Sequence, residues 1–219
     1  HYGLLCLFYC LLTDTKESIY LNVKKFFIDS LSPLKGTKME YNEKIVLKNG
    51  QDCIIRNATY EDGSEMSELF VVTHSESDYL RSYPEEHSFD AKAESEFLQK
   101  RAESDREVML LAVVDGKIVA TAGVSALGNK YKIRHRAEFG IDVVKSYWGL
   151  GIGKRMMKAC VQCAKDAGYQ QLELEVVADN QRAIQMYQSI GFVEFGRNPL
   201  GFISRYSGAQ ELVYMRLVL

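Results

Sequence analysis

At 219 residues, 47% of them hydrophobic and 26% charged, the chain is long enough for one well-packed domain, too short for two large ones, and ordinary for a soluble globular protein. Its formal net charge of -2, without any long Lys/Arg run, gives no ground for nucleic acid or an anionic membrane as partner. Five cysteines in an odd, scattered set exclude a disulfide framework and suit a reducing compartment, the cytoplasm.

Residues His1 to Leu12 are almost wholly apolar, yet the run is too short to span a bilayer. It also lacks the basic start and small-residue cleavage site of a secretory signal. No Met opens the chain, and Met39 follows Lys35-Gly36-Thr37-Lys38, whose codons can be purine-rich, as a bacterial ribosome-binding site is. Residues 1–38 are therefore expected to be largely translated upstream sequence from a bacterial gene, with a native start at Met39. The alternative is a genuine extension in which Ile19 to Leu31 forms an amphipathic helix. The expected division is an N-terminal extension over 1–50 and a folded domain over 51–219.

From Cys53 the pattern is regular. Cys53–Arg56 reads as a short strand, Ser64–Thr73 as a helix, and Asp90–Ala102 as a second helix with Phe97 and Leu98 on its apolar side. Val108–Val114 and Lys117–Leu127 are β-branched runs separated by Asp115-Gly116, a strong two-residue hairpin signal. A strand over Arg134–Val144 leads into Trp148-Gly149-Leu150-Gly151-Ile152-Gly153. A helix follows, with Ile152, Met156, Cys160, Ala164 and Ala167 at helical spacing before Gly168. Cys160 and Cys163 fall inside it, with no second pair and no nearby His, so they read as buried thiols and no metal site is expected. Leu172–Val177 reads as a strand, Gln181–Ile190 as a helix ending at Gly191, and Phe192–Phe195 and Glu211–Leu217 as closing strands. The fold class is mixed α/β.

A strand that runs into a glycine-rich turn opening a helix is an anion-binding device. Glycine lets backbone amides approach the ligand, and the helix N-terminus carries partial positive charge. The spelling excludes two versions of it. A P-loop would need Gly where Trp148 stands and Ser or Thr where Arg155 stands, and Gly149-x-Gly151-x-Gly153 has the wrong last interval for a dinucleotide fingerprint. Downstream, Asn180, Ala183 and Tyr187 are spaced i, i+3, i+7 and line one helix face, which Asn180 can also cap.

Together, Val143-Val144-Lys145-Ser146-Tyr147-Trp148-Gly149-Leu150-Gly151-Ile152-Gly153 and Leu174-Glu175-Val176-Val177-Ala178-Asp179-Asn180, with Ala183, Tyr187 and Gly191-Phe192, resemble the GNAT (GCN5-related N-acetyltransferase) superfamily over roughly Cys53 to Leu217. Trp148 stands where the family carries Arg or Gln, a lost contact that Lys154 or Arg155 would have to offset. The resemblance implies a largely antiparallel central sheet flanked by helices, bulged and splayed near Val143 to admit acetyl-coenzyme A. It implies contacts from Val143, Val144, Trp148, Gly149, Leu150, Gly151, Ile152, Gly153 and Lys154, from Asn180 to the pantetheine arm and from Ala183 beside it. It places Tyr187 at the thioester sulfur. A phenol of pKa ~10 is neutral at pH 7 and can donate to a departing thiolate. The developing oxyanion would meet a backbone amide at Val143 or Val144.

An ammonium acceptor must lose a proton before it attacks. Glu175, in a Leu-Glu-Val segment like that of ribosomal-protein N-terminal acetyltransferases, and Glu138, on the strand before the glycine turn, are the candidate bases, directly or through water. The alternative for each is a solvated or salt-bridged strand carboxylate. Glu76, Asp78, Glu85, Glu86, Asp90, Glu94 and Glu96, against Arg81 and Lys92, would make an acidic wall that attracts a cationic amine, or simply a solvated face. Tyr79, Tyr83 and Phe89 would touch the acceptor or anchor the loop. No covalent nucleophile stands out, so attack from a ternary complex is expected. The implied activity is acetylation of a small-molecule primary amine, with a protein N-terminus as second reading and a silent acyl-CoA-binding module as third. The resemblance also admits a homodimer, which the family often forms.

Overall fold

The computed structural model describes residues 39–87 and 90–219, so the expectations for residues 1–38 and for Phe89 lie outside the described residues. In chain order the elements are β1 (Asn42–Val46), β2 (Asp52–Asn57), α1 (Gly63–Glu76), α2 (Ala91–Glu103), β3 (Val108–Val114), β4 (Lys117–Ala126), β5 (Arg136–Val143), α3 (Ile152–Asp166), β6 (Gln171–Val177), α4 (Gln181–Gln188), β7 (Val193–Ser204) and β8 (Gly208–Val218). They form one eight-stranded sheet in the order β1-β2-β3-β4-β5-β6-β8-β7. All neighbours are antiparallel except β5 and β6. No helix among the described residues is long and apolar enough to cross a membrane.

The β3–β4 turn follows from its two residues. Asp115 (φ 49°) and Gly116 (φ 77°) both have positive φ, as a turn that matches strand twist requires. β1 lies ahead of the boundary expected at residue 51, yet it pairs with β2 from Asn42–Arg56 to Val46–Asp52. The domain therefore reaches back at least to Asn42. β7 and β8 are also longer than expected. Gly196, Pro199 and Gly201 read locally as a break, but they sit on an edge strand, and the register shift between Asn198 and Phe202 absorbs the proline.

Alternation in β3 sends side chains to both faces of the sheet. Val108, Leu110, Ala112 and Val114 join Met156, Cys160 and Ala164 of α3 in the larger core. Leu111 joins Met66 and Leu69 of α1 and Leu98 of α2 in a smaller one. Leu98 is fully buried, a gain of about 1.5–3 kcal/mol over leaving it in water. The helices α1 and α2 touch where α1 begins. A Cβ at Gly63 would collide with the Ser95 hydroxyl, the Ser95 amide (2.7 Å) and the Ala91 carbonyl (2.9 Å). Two of these are backbone atoms that cannot rotate away, so Gly63→Ala is expected to cost about 1–3 kcal/mol in urea unfolding. Unchanged stability would show that the two helices can part freely.

Candidate active site

β5 and β6 pair only at Arg136–Gln171, Ala137–Leu172 and Glu138–Glu173. Beyond that point β5 stays with β4 as far as Val143, while β6 stays with β8 as far as Val177. The sheet opens as a wedge between them. The expected bulge is not its cause, because the β4–β5 register runs without a shift from Ala126–Ala137 to Ala120–Val143. In an antiparallel pair, the backbone groups of alternate residues face opposite edges. The Val144 amide donates to the Val119 carbonyl on β4, so Phe139, Ile141 and Val143 turn their backbone groups into the wedge. The Ala178 amide donates to the Glu211 carbonyl on β8, which likewise turns Glu175 and Val177 inward. Of the two oxyanion donors expected, Val143 is thus available and Val144 is committed.

A cleft of about 680 Å³ runs along this wedge, and all the expected site residues except Val144 and Leu150 line it. Val144 packs instead against the α1–α2 core, and the Leu150 carbonyl accepts a bond from the Lys48 amide. The amides of residues 149–154 find no acceptor among the described residues, and the first bond of that turn is Arg155 to Gly151. Gly151 takes φ 102°, the left-handed region that only glycine enters freely. Lys48, Lys154, Lys158 and Arg182 bring positive charge to the same wall. Trp148 donates its indole N–H to the Val143 carbonyl (2.6 Å), and the Arg182 guanidinium lies 5.2 Å over its ring. α4 thus brings a cation to the side of Trp148. Arg155, expected to help, is held by Glu43 (2.9 Å).

Asn180 caps α4, accepting from the Ala183 amide (3.2 Å) and donating its own amide to Val177 (2.9 Å). Two turns on, Tyr187 is buried with its ring edge-on to Phe139, at 6.3 Å and 83°. Burial, and then the charge of Asp142, push its phenol well above the usual tyrosine range, so the hydroxyl keeps its proton. Cys160 and Cys163 are buried on α3. Burial and then the Asp166 charge raise the Cys163 thiol to about 11, and burial lifts Cys160 well above the usual thiol range, so neither is a ready nucleophile. Among the described residues, no cluster of His, Cys, Asp and Glu forms a metal set.

Arg81 bridges Glu138 and Glu175 at the solvent-exposed mouth of the cleft. Its guanidinium pairs with Glu175, with Nε at 3.1 Å, and reaches Glu138 at 3.6 Å. The acidic wall is spent mostly on the fold. Glu76 accepts the Lys145 amide, Asp90 caps α2, and Glu86 accepts the Tyr83 amide. Asp78 accepts from Ser204 (2.7 Å), Ser207 (2.8 Å) and Gln210 (3.1 Å), while Glu85 pairs with Arg205. Tyr83 accepts the Arg205 amide (2.8 Å) and is thereby an anchor. These bonds tie the α1–α2 connection to the β7–β8 hairpin over the acceptor end.

Asp142 was not anticipated from the sequence. It shares the α1–α2 face of β5 with Glu138 and Gly140, and burial alone raises its carboxyl to about 6. No group among the described residues hydrogen-bonds to its side chain.

Residues 70–192 match the model of the acetyltransferase (GNAT) family. The chain is 33% identical over 102 residues to N-alpha-acetyltransferase RimI of Mycobacterium tuberculosis, covering 46% of this chain and 60% of that protein. It is 34% identical over 57 residues to N-alpha-acetyltransferase 30 of Schizosaccharomyces pombe, covering 26% and 38%. The chain thus spans well short of the whole of either relative. An acetyltransferase of the GNAT family from Streptococcus pneumoniae superposes with a TM-score of 0.73 at 26% identity, over 76% of this chain and 99% of that one. The yncA protein of Salmonella typhimurium, solved with its cofactor acetyl-CoA, shares the fold at a TM-score of 0.68 and 17% identity, over 76% and 94%. With more than half of its length matched to the family model, and with the wedge, the glycine turn and the capped helix in one cleft, the chain belongs to the GNAT acetyltransferase family.

Proposed function

We propose that the protein transfers an acetyl group from acetyl-CoA to the primary amine of a small molecule, by direct attack in a ternary complex. The observation that carries this reading is the wedge between β5 and β6, with inward backbone amides unpaired on both sides among the described residues and Tyr187 lining it. The residues present suit the cofactor. The amides of residues 149–154, with Lys48, Lys154, Lys158 and Arg182, suit its phosphates. The inward edges of Phe139, Ile141 and Val143 and of Glu175 and Val177 suit an extended amide arm, bound like an added strand. Bound there, acetyl-CoA supplies an acetyl thioester.

The protein's own groups divide the remaining work. The Val143 amide meets the charge that develops on the carbonyl oxygen. Tyr187 donates a hydrogen bond to the leaving sulfur, and its raised pKa keeps the phenol protonated while it does so. Glu138 and Glu175, sharing Arg81, attract the cationic acceptor at the mouth. The buried thiols of α3 provide no covalent relay, which favours direct attack. The unpaired cysteines fit a reducing cytoplasm as the proposed location.

The α1–α2 connection, held against the β7–β8 hairpin by Asp78, Tyr83 and Glu85, supports a small acceptor. The identity to two N-alpha-acetyltransferases favours a protein N-terminus as second reading. Thiol release with a panel of amines and short peptides separates the two. Turnover of small amines alone supports the first reading, and turnover of peptides alone replaces it with the second.

The glycine turn has its own test. At Gly151 a Cβ would meet nothing within 4 Å, so the cost of a side chain lies in the backbone alone. Gly151→Val is expected to weaken acetyl-CoA binding about tenfold, as the turn moves off its left-handed geometry. Calorimetric titration with acetyl-CoA reads this directly, and wild-type affinity would remove the turn from the site.

A further inference from the structure

A second cavity, of about 420 Å³, lies between α1, α2 and the sheet, and none of the roles assigned above uses it. Its apolar walls are Met66, Leu69, Phe70, Phe97 and Met109. The sheet closes its floor with Met109 of β3, Thr121 of β4 and Asp142 of β5. Thr73 and Asp142 line both this cavity and the cofactor cleft, so the two spaces adjoin at those residues.

The charge of the cavity is one-sided. Asp142 and Glu94 line it, Asp90 stands at its edge, and among its described lining residues there is no Lys or Arg. Burial raises the Glu94 carboxyl as it does that of Asp142, although the charge of nearby His87 works against it. A carboxylate without a partner beside an apolar space costs stability unless something cationic arrives to meet it. Glu138 and Glu175 are already paired with Arg81 at the mouth, whereas Asp142 is not. Asp142 also adjoins Val143, the residue whose amide faces the reacting carbonyl.

We propose that this cavity holds the apolar tail of the acceptor, and that Asp142, where the two spaces adjoin, binds the acceptor's ammonium group and takes its proton. The acceptor class is then a primary alkyl- or aralkylamine. The proposal rests on the acetyl-transfer reading. In the step, R–NH3+ gives one proton to the Asp142 carboxylate, and the freed nitrogen lone pair forms the C–N bond to the thioester carbonyl. The C–S bond breaks, the sulfur leaves with its electron pair, and it receives the second nitrogen proton by way of the Tyr187 hydroxyl. The products are the amide and the free thiol, and Asp142 returns its proton to water. A carboxyl near pH 6 is ionised at pH 7 and basic enough to serve. The titratable groups around it are Glu138 and Arg81 on the same face, Tyr187 across the wedge, and Glu94, Asp90 and His87 in the cavity.

The test uses ethanolamine, n-butylamine, n-hexylamine and phenethylamine as probes. Wild-type kcat/KM is expected to rise about fourfold per added methylene until the cavity is full. Calorimetric titration of n-hexylamine into protein free of acetyl-CoA should give binding that Asp142→Asn weakens about tenfold. Asp142→Asn should also lower kcat about 100-fold and erase the loss of activity below about pH 6. Ala93→Phe, at an exposed position on the cavity wall, should flatten the dependence on tail length, with circular dichroism confirming that both variants are folded. A flat tail dependence in the wild type, or an Asp142→Asn variant with wild-type n-hexylamine binding and pH profile, overturns the proposal even where thiol release shows acetyl transfer to another amine. Failure to bind acetyl-CoA or to release thiol with any amine overturns the underlying reading instead.

Discussion

Tyr187→Phe is expected to lower kcat about 100-fold while leaving acetyl-CoA affinity little changed. The ring is packed edge-on against Phe139 and tilted against Phe192, at 6.3 and 6.0 Å, and phenylalanine fills the same space. In the proposed role, what is lost is one hydroxyl proton at the sulfur. A phenol pushed above its usual range is too weak an acid to hand over its proton outright. In that role it would act by hydrogen bonding as the C–S bond stretches, with the proton moving in concert with its replacement from nitrogen. The same shift means that deprotonation of Tyr187 should cause no loss of rate on the alkaline side below about pH 10. Steady-state kinetics across pH checks both statements. A variant with wild-type kcat would remove Tyr187 from the chemistry and leave it a packing residue.

The second large effect is on stability. Asp62, just before α1, accepts two bonds from the Arg56 guanidinium (both 2.7 Å), one from the Thr59 amide (2.7 Å) and one from its hydroxyl (2.9 Å). Asp62→Ala leaves Arg56 without its carboxylate at a mostly buried site and is expected to cost about 3 kcal/mol. Burial raises the Asp62 carboxyl, but the Arg56 and Thr59 donors outweigh it and the net shift is downward. A carboxyl lowered in the native state contributes stability above its unfolded pKa, about 3.9, and that contribution is lost as pH falls through the native value. Urea unfolding of both proteins at pH 7, 5 and 3 should therefore show a gap that narrows in acid. A gap independent of pH would mean that the ion pair contributes nothing and that the cost is one of packing.

What could be read from the sequence was local. Asp115-Gly116, the strand–glycine–helix run and the Asn180–Ala183–Tyr187 face each depend on neighbours within one or two turns of chain, and each sits where its spacing put it. What could not be read depends on long-range pairing. Arg81 meets Glu175 across 94 positions, and nothing near either residue announces it. Arg182 reaches the Trp148 ring from a different helix. The carboxylates before the hairpin looked like an acceptor surface, but most are bonded to the fold, because a residue count cannot tell which charges already have partners. Asp142 left one usable trace. With Glu138 and Gly140 it makes every second residue of β5 non-apolar, a sign that one face of that strand looks onto a site and not into a core.

Direct acetyl transfer from a cofactor held in the β5–β6 wedge leaves a kinetic signature. Initial rates of thiol release, with acetyl-CoA and an accepted amine varied together and the acetylated product identified by mass, test it most directly. Double-reciprocal lines that intersect are expected, because in direct transfer both substrates must be bound before the thiol departs. Parallel lines, with an acetylated enzyme recovered when the amine is left out, would contradict it.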